Sequence, residues 1–244
     1  MGIEQYEHPY LTVDGVILTS DIHIPDKDFK DGDRAIQVLL MKRTDEPFKD
    51  KWVLPGGFVD IDKTLEDALY EKVFTKANIN SAYFEQLYTY GNLGRDPRGR
   101  VVTTTYLVLG GKDKLDSMIK RGISGIELSW FWVQHSHEGQ LRLIKADESS
   151  TEECSGDDLG FDHGEILADA LCRIRDKVLS SDIALLTLPE EFTIRECQQV
   201  FEQLAGQEIS NFRRLINPKI EETGNILTGR AHRPATLFKI KGET

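Results

Sequence analysis

Apolar and polar residues alternate along the first half of the chain in the manner of β-strands. Between two of these segments, Thr64 is placed to cap a helix of about 12 residues that turns Leu65, Leu69 and Val73 inward. Strands that alternate with a helix predict an α/β arrangement on a mixed sheet. The predicted strands cover residues 11–24, 35–41, 52–54, 83–90, 101–109 and 128–133.

Residues 146–160 interrupt this pattern. They are polar and acidic and contain almost no bulky apolar side chains, as in Glu152-Glu153-Cys154-Ser155-Gly156-Asp157-Asp158. That composition is typical of a solvated loop or linker. We therefore predict a domain boundary between about 145 and 160, with one domain over residues 1–150 and a second over 160–244.

The pattern beyond this segment has a helical period. An apolar stripe predicts one helix over residues 166–178, and Thr193 with Glu196 forms the capping box of a second that ends at Gly206. A third helix is predicted from Ser210 to Asn217, and residues 220–240 predict a hairpin. Helix, helix, turn, helix and hairpin is the order of a winged helix-turn-helix.

Charge is distributed unevenly along the 244 residues. The formal net charge of −11 argues at first sight against a nucleic-acid partner. Residues 209–241 nevertheless contain seven basic side chains and two acidic ones, so the positive charge is concentrated near the end of the chain. No apolar run approaches the ~20 residues of a membrane-spanning helix, and the first residues lack a secretory pattern. We expect a cytoplasmic protein without a membrane partner.

The segment Pro47-Phe-Lys-Asp-Lys-Trp-Val-Leu-Pro-Gly-Gly-Phe-Val-Asp60 resembles the start of a Nudix box of the subfamily that handles ADP-ribose. The family pattern is G-x5-E-x7-R-E-U-x-E-E-x-G-U, in which U is a bulky aliphatic residue. With its first glycine placed on Gly57, the apolar positions of the pattern are retained and the chemical positions are not. The later positions of the pattern fall on Lys63, Glu71, Lys72, Val73, Thr75, Lys76, Asn78 and Ile79.

These substitutions remove the expected metal site. Mg²⁺ requires several hard oxygen ligands, which the family supplies from glutamates on one helix face. On a continuous helix that face would carry Lys72, Thr75 and Lys76, which repel a divalent cation. Asp67 and Glu71 lie about 100° away around the helix and fit a solvated surface. We predict no catalytic residues, no metal site and no requirement for Mg²⁺.

A degenerate Nudix box joined to a winged helix is similar to the Nudix-related transcriptional regulators of NAD metabolism. The resemblance extends over nearly the whole chain and includes three further motifs. It implies an α+β protein: an N-terminal Nudix-like α/β/α sandwich with a mixed sheet, and a C-terminal winged helix-turn-helix. It also implies a homodimeric repressor that binds a double-stranded DNA operator, with ADP-ribose or a related nucleotide as effector. The three motifs are Gly94-Arg-Asp-Pro-Arg-Gly-Arg100, Leu159-Gly-Phe-Asp-His163 and Asn211-Phe-Arg-Arg214.

Ligand-binding residues are predicted around the glycine turn. Arg43 could hold a diphosphate there, although an exposed arginine at a strand end is an equal alternative. The alternative for the residues near the 94–100 turn is an ordinary charged hairpin tip, and for the helix lysines a solvated surface. Asp162 and His163 are expected to attach the linker to the next helix. The predicted ligand-binding set is Arg43, Gly56, Gly57, Lys72, Lys76, Tyr90, Arg95 and Arg98.

DNA-binding residues are predicted on the third C-terminal helix and the hairpin. Arginine pairs with guanine through two hydrogen bonds and asparagine with adenine, so these residue types suit a helix in the major groove. Basic residues at the hairpin tip suit phosphate or minor-groove contacts. A solvated charged helix is the alternative. The predicted set is Asn211, Arg213, Arg214, Asn217, Lys219, Arg230, His232 and Arg233.

Two rival functions remain at this point. One is an active ADP-ribose pyrophosphatase of the Nudix class with an appended winged helix, in which Asp67 and Glu71 would hold the metal. The other is a Nudix-like scaffold whose winged helix binds a protein. The lysines of the Nudix helix argue against the first rival, and Arg213 with Arg214 argues against the second. We favour a ligand-responsive repressor.

Overall fold

The computed structural model describes residues 6–22, 33–74, 82–119, 126–135, 140–147, 152–228 and 234–242. Strands alternate with helices in the first part of the chain, as the patterns predict, and two helical layers enclose a sheet. The strands are β1 (Tyr10–Ile22), β2 (Arg34–Lys42), β3 (Trp52–Val53), β4 (Gly56–Phe58), β5 (Tyr83–Tyr90), β6 (Val101–Leu109), β7 (Glu127–His135), β8 (Leu141–Lys145), β9 (Glu153–Ser155), β10 (Ile220–Leu227) and β11 (Ala235–Ile240). The helices are α1 (Leu65–Val73), α2 (Lys112–Met118), α3 (His163–Lys177), α4 (Ile194–Ala205) and α5 (Phe212–Ile216).

Nine of the described strands form one mixed sheet in the order β5-β6-β1-β2-β7-β8-β9, with β3 paired to β2 and β4 to β1. The central strand β1 is parallel to β6 and antiparallel to β2. Its side chains alternate between the faces: Val13 and Ile17 pack with α1 and α2, whereas Val16 and Leu18 pack with α3 and α4. The predicted three-layer sandwich with a mixed sheet is confirmed.

The Nudix helix α1 is shorter than predicted. Thr64 caps it as expected, accepting a hydrogen bond from the Asp67 amide. The helix ends at Val73, because Phe74 has an extended backbone and bridges to Ile119 in antiparallel fashion. The predicted length of about 12 residues was therefore wrong, and position 76 lies outside the described residues.

The predicted linker takes part in the fold. Residues 153–155 form β9, which pairs with β8, and a short 3-10 helix follows over Gly156–Asp158. The apolar stripe of α3 then packs in the same cluster as β1 and α4. A single apolar core thus extends across the predicted boundary, and α3 covers the sheet as well as leading to the last helices. The patterns also missed β4, α2 and β8.

The C-terminal elements follow their predicted order. The Thr193–Glu196 capping box is present, α4 buries Val200 and Phe201, and Gly206 ends it with a left-handed backbone. β10 and β11 form the predicted hairpin, and β10 has a bulge between Glu222 and Ile226, where the register against β11 shifts. Among the described residues, no helix has the length and apolar character needed to cross a membrane.

Candidate functional site

A cavity of about 210 Å³ lies where β1, β2 and β4 meet the turn before β6 and the segment before α3. Residues far apart in the chain meet here, including Asp14, Arg43, Arg98 and Phe161. The remaining lining residues are Thr12, Met41, Val53, Leu54, Gly56, Gly57, Phe58, Arg95, Asp96, Val101 and His163.

Gly56 brings β4 against β1 at the edge of this cavity. A Cβ atom at position 56 would lie 2.1 Å from the Val13 carbonyl oxygen and 2.5 Å from Asp14 Oδ1. Only glycine permits that approach. The atoms nearest to a Cβ at Gly57 would be those of the Lys72 stem, from 3.1 Å. The first glycine of the pair therefore shapes the cavity, whereas the second tolerates a side chain more readily.

The mouth of the cavity carries two arginines over one aromatic ring. The guanidinium carbons of Arg43 and Arg98 lie 5.0 Å and 5.7 Å from the centre of the Phe161 ring. Burial, and then the positive charge of Arg98, lowers the pKa of Arg43. Arg98 also donates to both carboxylate oxygens of Asp96, at 3.0 Å and 2.6 Å, so part of its charge is balanced within the protein. The positive potential of the mouth therefore comes mainly from Arg43. The mouth is suited to a phosphate or diphosphate.

A buried polar network forms the floor of the cavity. The Thr103 hydroxyl donates to Asp14 Oδ2 at 2.6 Å. Arg95 donates to both carboxylate oxygens of Asp162, at 2.9 Å and 2.7 Å, and its Nη2 lies 3.8 Å from Asp14 Oδ2. This bidentate pair fixes the segment before α3 to the turn before β6. The charge of Arg95 is balanced within the protein.

His163, the first residue of α3, completes the floor. Its Nδ1 accepts a hydrogen bond of 2.8 Å from the Leu54 amide, so the neutral ring carries its hydrogen on Nε2. Burial lowers the pKa of His163. The imidazole is therefore neutral near pH 7, and its Nε2–H lies 3.7 Å from Asp14 Oδ1.

The structure brings together five of the eight predicted ligand-binding residues: Arg43, Gly56, Gly57, Arg95 and Arg98 line the cavity. Tyr90 lies elsewhere, because its hydroxyl donates to Asp169 on α3 at 2.8 Å and its ring is buried. Lys72 is exposed, packs against Gly57 and does not line the cavity. Lys76 lies outside the described residues.

The described part of the Nudix helix carries charges that differ from the family pattern. Lys63 and Glu71 form an ion pair of 2.7 Å, which inverts the charges that the family pattern has at these two positions. Asp67 accepts a hydrogen bond from the Thr64 hydroxyl. Within the described ranges, no group of three or more His, Cys, Asp or Glu side chains could hold a metal ion. This donor set does not fit the Mg²⁺ site that the Nudix pattern implies.

Sequence patterns missed Asp14 and Phe161. Asp14 is a charged residue within the buried run of β1, which was the available signal. Phe161 has a positive φ of 59°. It belongs to the 159–163 motif, in which the sequence predicts individual roles for Asp162 and His163 alone. Asp162 and His163 were expected to attach the linker to α3, but their side chains bond to other parts of the fold: Asp162 accepts from Arg95 in the turn before β6, and His163 accepts from the Leu54 amide.

The second candidate surface is the outer face of α5. Phe212 and Ile216 are buried, whereas Asn211, Arg213 and Arg214 are exposed. Asn217, just after the helix, is exposed as well. Within the part of the chain that the structure describes, neither Arg213 nor Arg214 has a side-chain hydrogen bond or ion pair. The predicted division of this helix into a core face and an outer face is confirmed.

The other predicted DNA-binding residues are either less exposed than Arg213 and Arg214 or lie outside the described residues. Lys219 is half-buried and pairs with Asp182 at 2.7 Å, so part of its charge is balanced. Lys241 donates to the carbonyls of Asn217 and Pro218, which stabilises the end of α5. The predicted wing residues Arg230, His232 and Arg233 lie outside the described residues.

Family models match both parts of the chain. A NUDIX domain model matches residues 29–151, and a model of the NrtR DNA-binding winged helix domain matches residues 184–240. The chain is 29% identical over 239 residues to the ADPR responsive transcriptional repressor NtrR of Acinetobacter baylyi, covering 96% of this chain and 83% of the relative.

Two further relatives match different shares of the chain. The crystal structure of Shewanella oneidensis NrtR complexed with a 27mer DNA is 32% identical, with a TM-score of 0.63 and coverage of 95% of this chain and 93% of that one. An ADP-ribose pyrophosphatase of Methanocaldococcus jannaschii is 34% identical over 111 residues, 45% of this chain and 57% of the relative. The similarity to the DNA-bound structure extends over both parts.

Proposed function

The chain belongs to the NrtR family, which joins a Nudix domain to a winged helix, and on this premise we propose that it is a DNA-binding transcriptional repressor of NAD-metabolism genes. Its effector is ADP-ribose or a related nucleotide, bound in the cavity of the Nudix domain. The related repressor of Acinetobacter baylyi, described as ADPR responsive, supports this assignment. We place effector binding mainly in residues 1–150, with Phe161 and His163 completing the cavity, and DNA binding in residues 160–244.

The decisive observation concerns two exposed arginines on α5, whose side chains have no hydrogen-bond or ion-pair partner among the described residues. Phe212 and Ile216 anchor this short helix in the core, so Arg213 and Arg214 project from a rigid support. Arginine side chains in the major groove donate two hydrogen bonds to a guanine. We propose that a homodimer places two such helices on two half-sites of a palindromic operator.

DNA binding is tested with fragments of the genome that encodes the protein. Fragments retained by the purified protein are sequenced, and we expect enrichment of a palindrome upstream of NAD-synthesis or salvage genes. In fluorescence anisotropy on that palindrome, Arg213→Ala or Arg214→Ala should weaken binding by ~1–3 kcal/mol, the contribution of one bidentate base contact. Lys239→Ala is the matched control, because Lys239 is paired with Glu221 on the hairpin. Equal binding by parent and both arginine variants would show that α5 does not read the operator.

Effector binding is carried by the two arginines at the cavity mouth. Both lie beside the glycine turn, where the diphosphate of ADP-ribose would be stabilised by Arg43 and by the Arg98 guanidinium, which also pairs with Asp96. Because no metal is needed to bridge acids to phosphates, ADP-ribose should bind equally well with excess EDTA. Calorimetry measures this directly, and loss of binding in EDTA would contradict the proposed mode. Bound ADP-ribose should also release the protein from its operator.

A second candidate is hydrolysis of ADP-ribose, favoured by the 34% identity to a pyrophosphatase over part of the chain. Against it, the family's acidic position at Lys63 is a cation paired with Glu71, and α1 ends at Val73. We propose that the protein is not a hydrolase. Incubation with ADP-ribose and Mg²⁺ should produce no AMP above background, and turnover of roughly 1 s⁻¹ or faster would establish the second candidate instead.

A further inference from the structure

The helix α5, which carries the proposed DNA-reading arginines, is too short to fix its own position. It has five residues, and isolated helices shorter than ~12–15 residues are marginal in water. Its position must therefore come from contacts with the rest of the fold. Phe212 packs against Phe201 of α4, with ring centres 5.3 Å apart, and Ile216 is buried. Because apolar contacts are not directional, they select the outward face of α5 without fixing the helix as hydrogen bonds do.

Directional bonds are found at the end of α5, around Lys219. The Lys219 amide donates to the Ile216 carbonyl at 2.8 Å, and the Lys219 carbonyl accepts from the Lys241 amide at 3.0 Å. The Lys241 ammonium group donates to the carbonyls of Asn217 and Pro218, each at 3.1 Å. The backbone of Lys219 thus joins the last turn of α5 to the residue that follows β11.

The side chain of Lys219 extends this junction to α3. Its Nζ donates to the Ser181 carbonyl at 3.0 Å and lies 2.7 Å from Asp182 Oδ1. Ser181 is itself fixed to the end of α3, because its hydroxyl donates at 2.8 Å to the carbonyl of Lys177, the last residue of that helix. Since α3 packs in the main apolar core, it is a rigid support. Lys219 therefore attaches the end of α5 to α3.

The charge of Lys219 is used within the protein. Its side chain is only 22% exposed, and two of the three hydrogens of its ammonium group have acceptors. One of these acceptors is the carboxylate of Asp182, which is 62% exposed and would repel a phosphate that approached the same ammonium group. Arg213 and Arg214, by contrast, are exposed. The surroundings of Lys219 thus favour a contact inside the fold over a contact with DNA.

We propose that Lys219 is a positioning residue for operator binding: held by Ser181 and Asp182, it fixes the end of α5 and does not bind a DNA phosphate. This inference rests on the proposed function, which gives α5 its role. A hydrogen bond to a base weakens steeply outside ~2.7–3.2 Å, so contacts from α5 tolerate little displacement of the helix. Attraction to the phosphate backbone is not directional in this way and does not depend on sequence. Loss of the Lys219 contacts should therefore reduce specific binding and spare non-specific binding.

Fluorescence anisotropy on two DNA duplexes measures this difference. One duplex is the operator palindrome recovered from the genomic fragments, and the other is a scrambled duplex of the same length and composition. Lys219→Met keeps the aliphatic stem and removes the ammonium group. It should lower the ratio of operator affinity to scrambled affinity by ~5-fold or more, the low end for one bidentate base contact. The salt dependence on the scrambled duplex should be unchanged, whereas loss of a phosphate contact would lower its slope by ~0.9.

Asp182→Ala separates the two roles by sign. It removes an exposed carboxylate and leaves Lys219 charged. If Lys219 positions α5, the affinity ratio should fall by at least ~3-fold, because one of the two side-chain contacts is lost. If Lys219 binds phosphate, the freed lysine should instead strengthen binding to both duplexes and leave the ratio unchanged. This exposed substitution decides the question even if Lys219→Met does not fold.

Lys239→Met is the matched control, since Lys239 is paired with Glu221 on the hairpin at 3.2 Å. It removes the same charge and should leave the affinity ratio unchanged within about twofold. An unchanged ratio in Asp182→Ala, or equal weakening of both duplexes by Lys219→Met with a lower salt slope, would overturn the positioning role and leave the proposed function intact. A parent protein that prefers no operator over the scrambled duplex would instead overturn the proposed function and this inference with it.

Discussion

Replacing Gln203 with alanine should remove the two hydrogen bonds that join α4 of the helix-turn-helix to strands β2 and β7. The β2–β7 ladder begins with the pair Gln37 and Trp132, so the next pair, Ile36 and Val133, is not joined by backbone hydrogen bonds. The side-chain amide of Gln203, on α4, lies between these two residues and bonds to both. Its Oε1 accepts from the Ile36 amide at 2.8 Å, and its Nε2 donates to the Val133 carbonyl at 2.8 Å.

The cost of Gln203→Ala follows from the burial of these two backbone groups. Ile36 is 1% exposed and Val133 is 4% exposed, so both groups lose their partner in a nearly dry environment. An unsatisfied buried donor or acceptor costs ~1–3 kcal/mol. Because Gln203 is itself only half-buried, water can reach part of the gap. We expect the free energy of unfolding to fall by ~2–4 kcal/mol, a large share of the usual ~5–15 kcal/mol.

Urea unfolding measures this loss, and Gln198→Ala is its matched control. Both changes remove a glutamine from α4, so the difference in helix propensity cancels. Among the described residues, Gln198 bonds to Glu202 one turn along the helix, a pair that contributes ~0.2–0.5 kcal/mol. Tryptophan fluorescence reports the transition, since Trp130 and Trp132 lie on β7. If Gln203→Ala costs no more than Gln198→Ala, the amide does not join the winged helix to the sheet.

Three further outcomes are expected. Gly56→Ala should destabilise the protein by roughly 3 kcal/mol or more in thermal melts, because its Cβ would clash with the Val13 carbonyl. Gly57→Ala should cost less than ~1 kcal/mol, since a flexible lysine stem can move aside, and equal losses would refute the close approach of β4. Glu85, whose pKa is lowered to about 2 by the hydrogen bond from Tyr83 and by two basic side chains of α3, should stabilise the fold above its unfolded pKa of ~4.3. Urea unfolding at several pH values should show that Glu85→Gln costs roughly 1–3 kcal/mol at pH 7 and that its difference from the parent disappears as the pH falls towards 2; a difference that persists at pH 2 would contradict this.

The sequence alone determined the elements whose cause is local. Thr193 and Glu196 lie three residues apart and cap the same helix, and the apolar spacing of α4 selects its buried face within about three turns. The spacing of apolar residues likewise predicted the buried and exposed faces of α5 and the alternation of side chains between the two faces of the sheet along β1. The Nudix pattern around Gly57 also placed Arg43 and the glycine turn at the cavity. Each of these follows from side chains that are neighbours along the chain.

The tertiary structure decided the features that depend on distant partners. Asp14 and His163 are almost 150 positions apart, and only the packing of β1 against the start of α3 brings them together. The end of α1 depends on the bridge from Phe74 to Ile119. The polar segment near residue 153 becomes a strand because β8 offers it an edge to pair with. A contact between residues far apart in the chain leaves no periodicity in the sequence, since its energy arises only when the chain has folded.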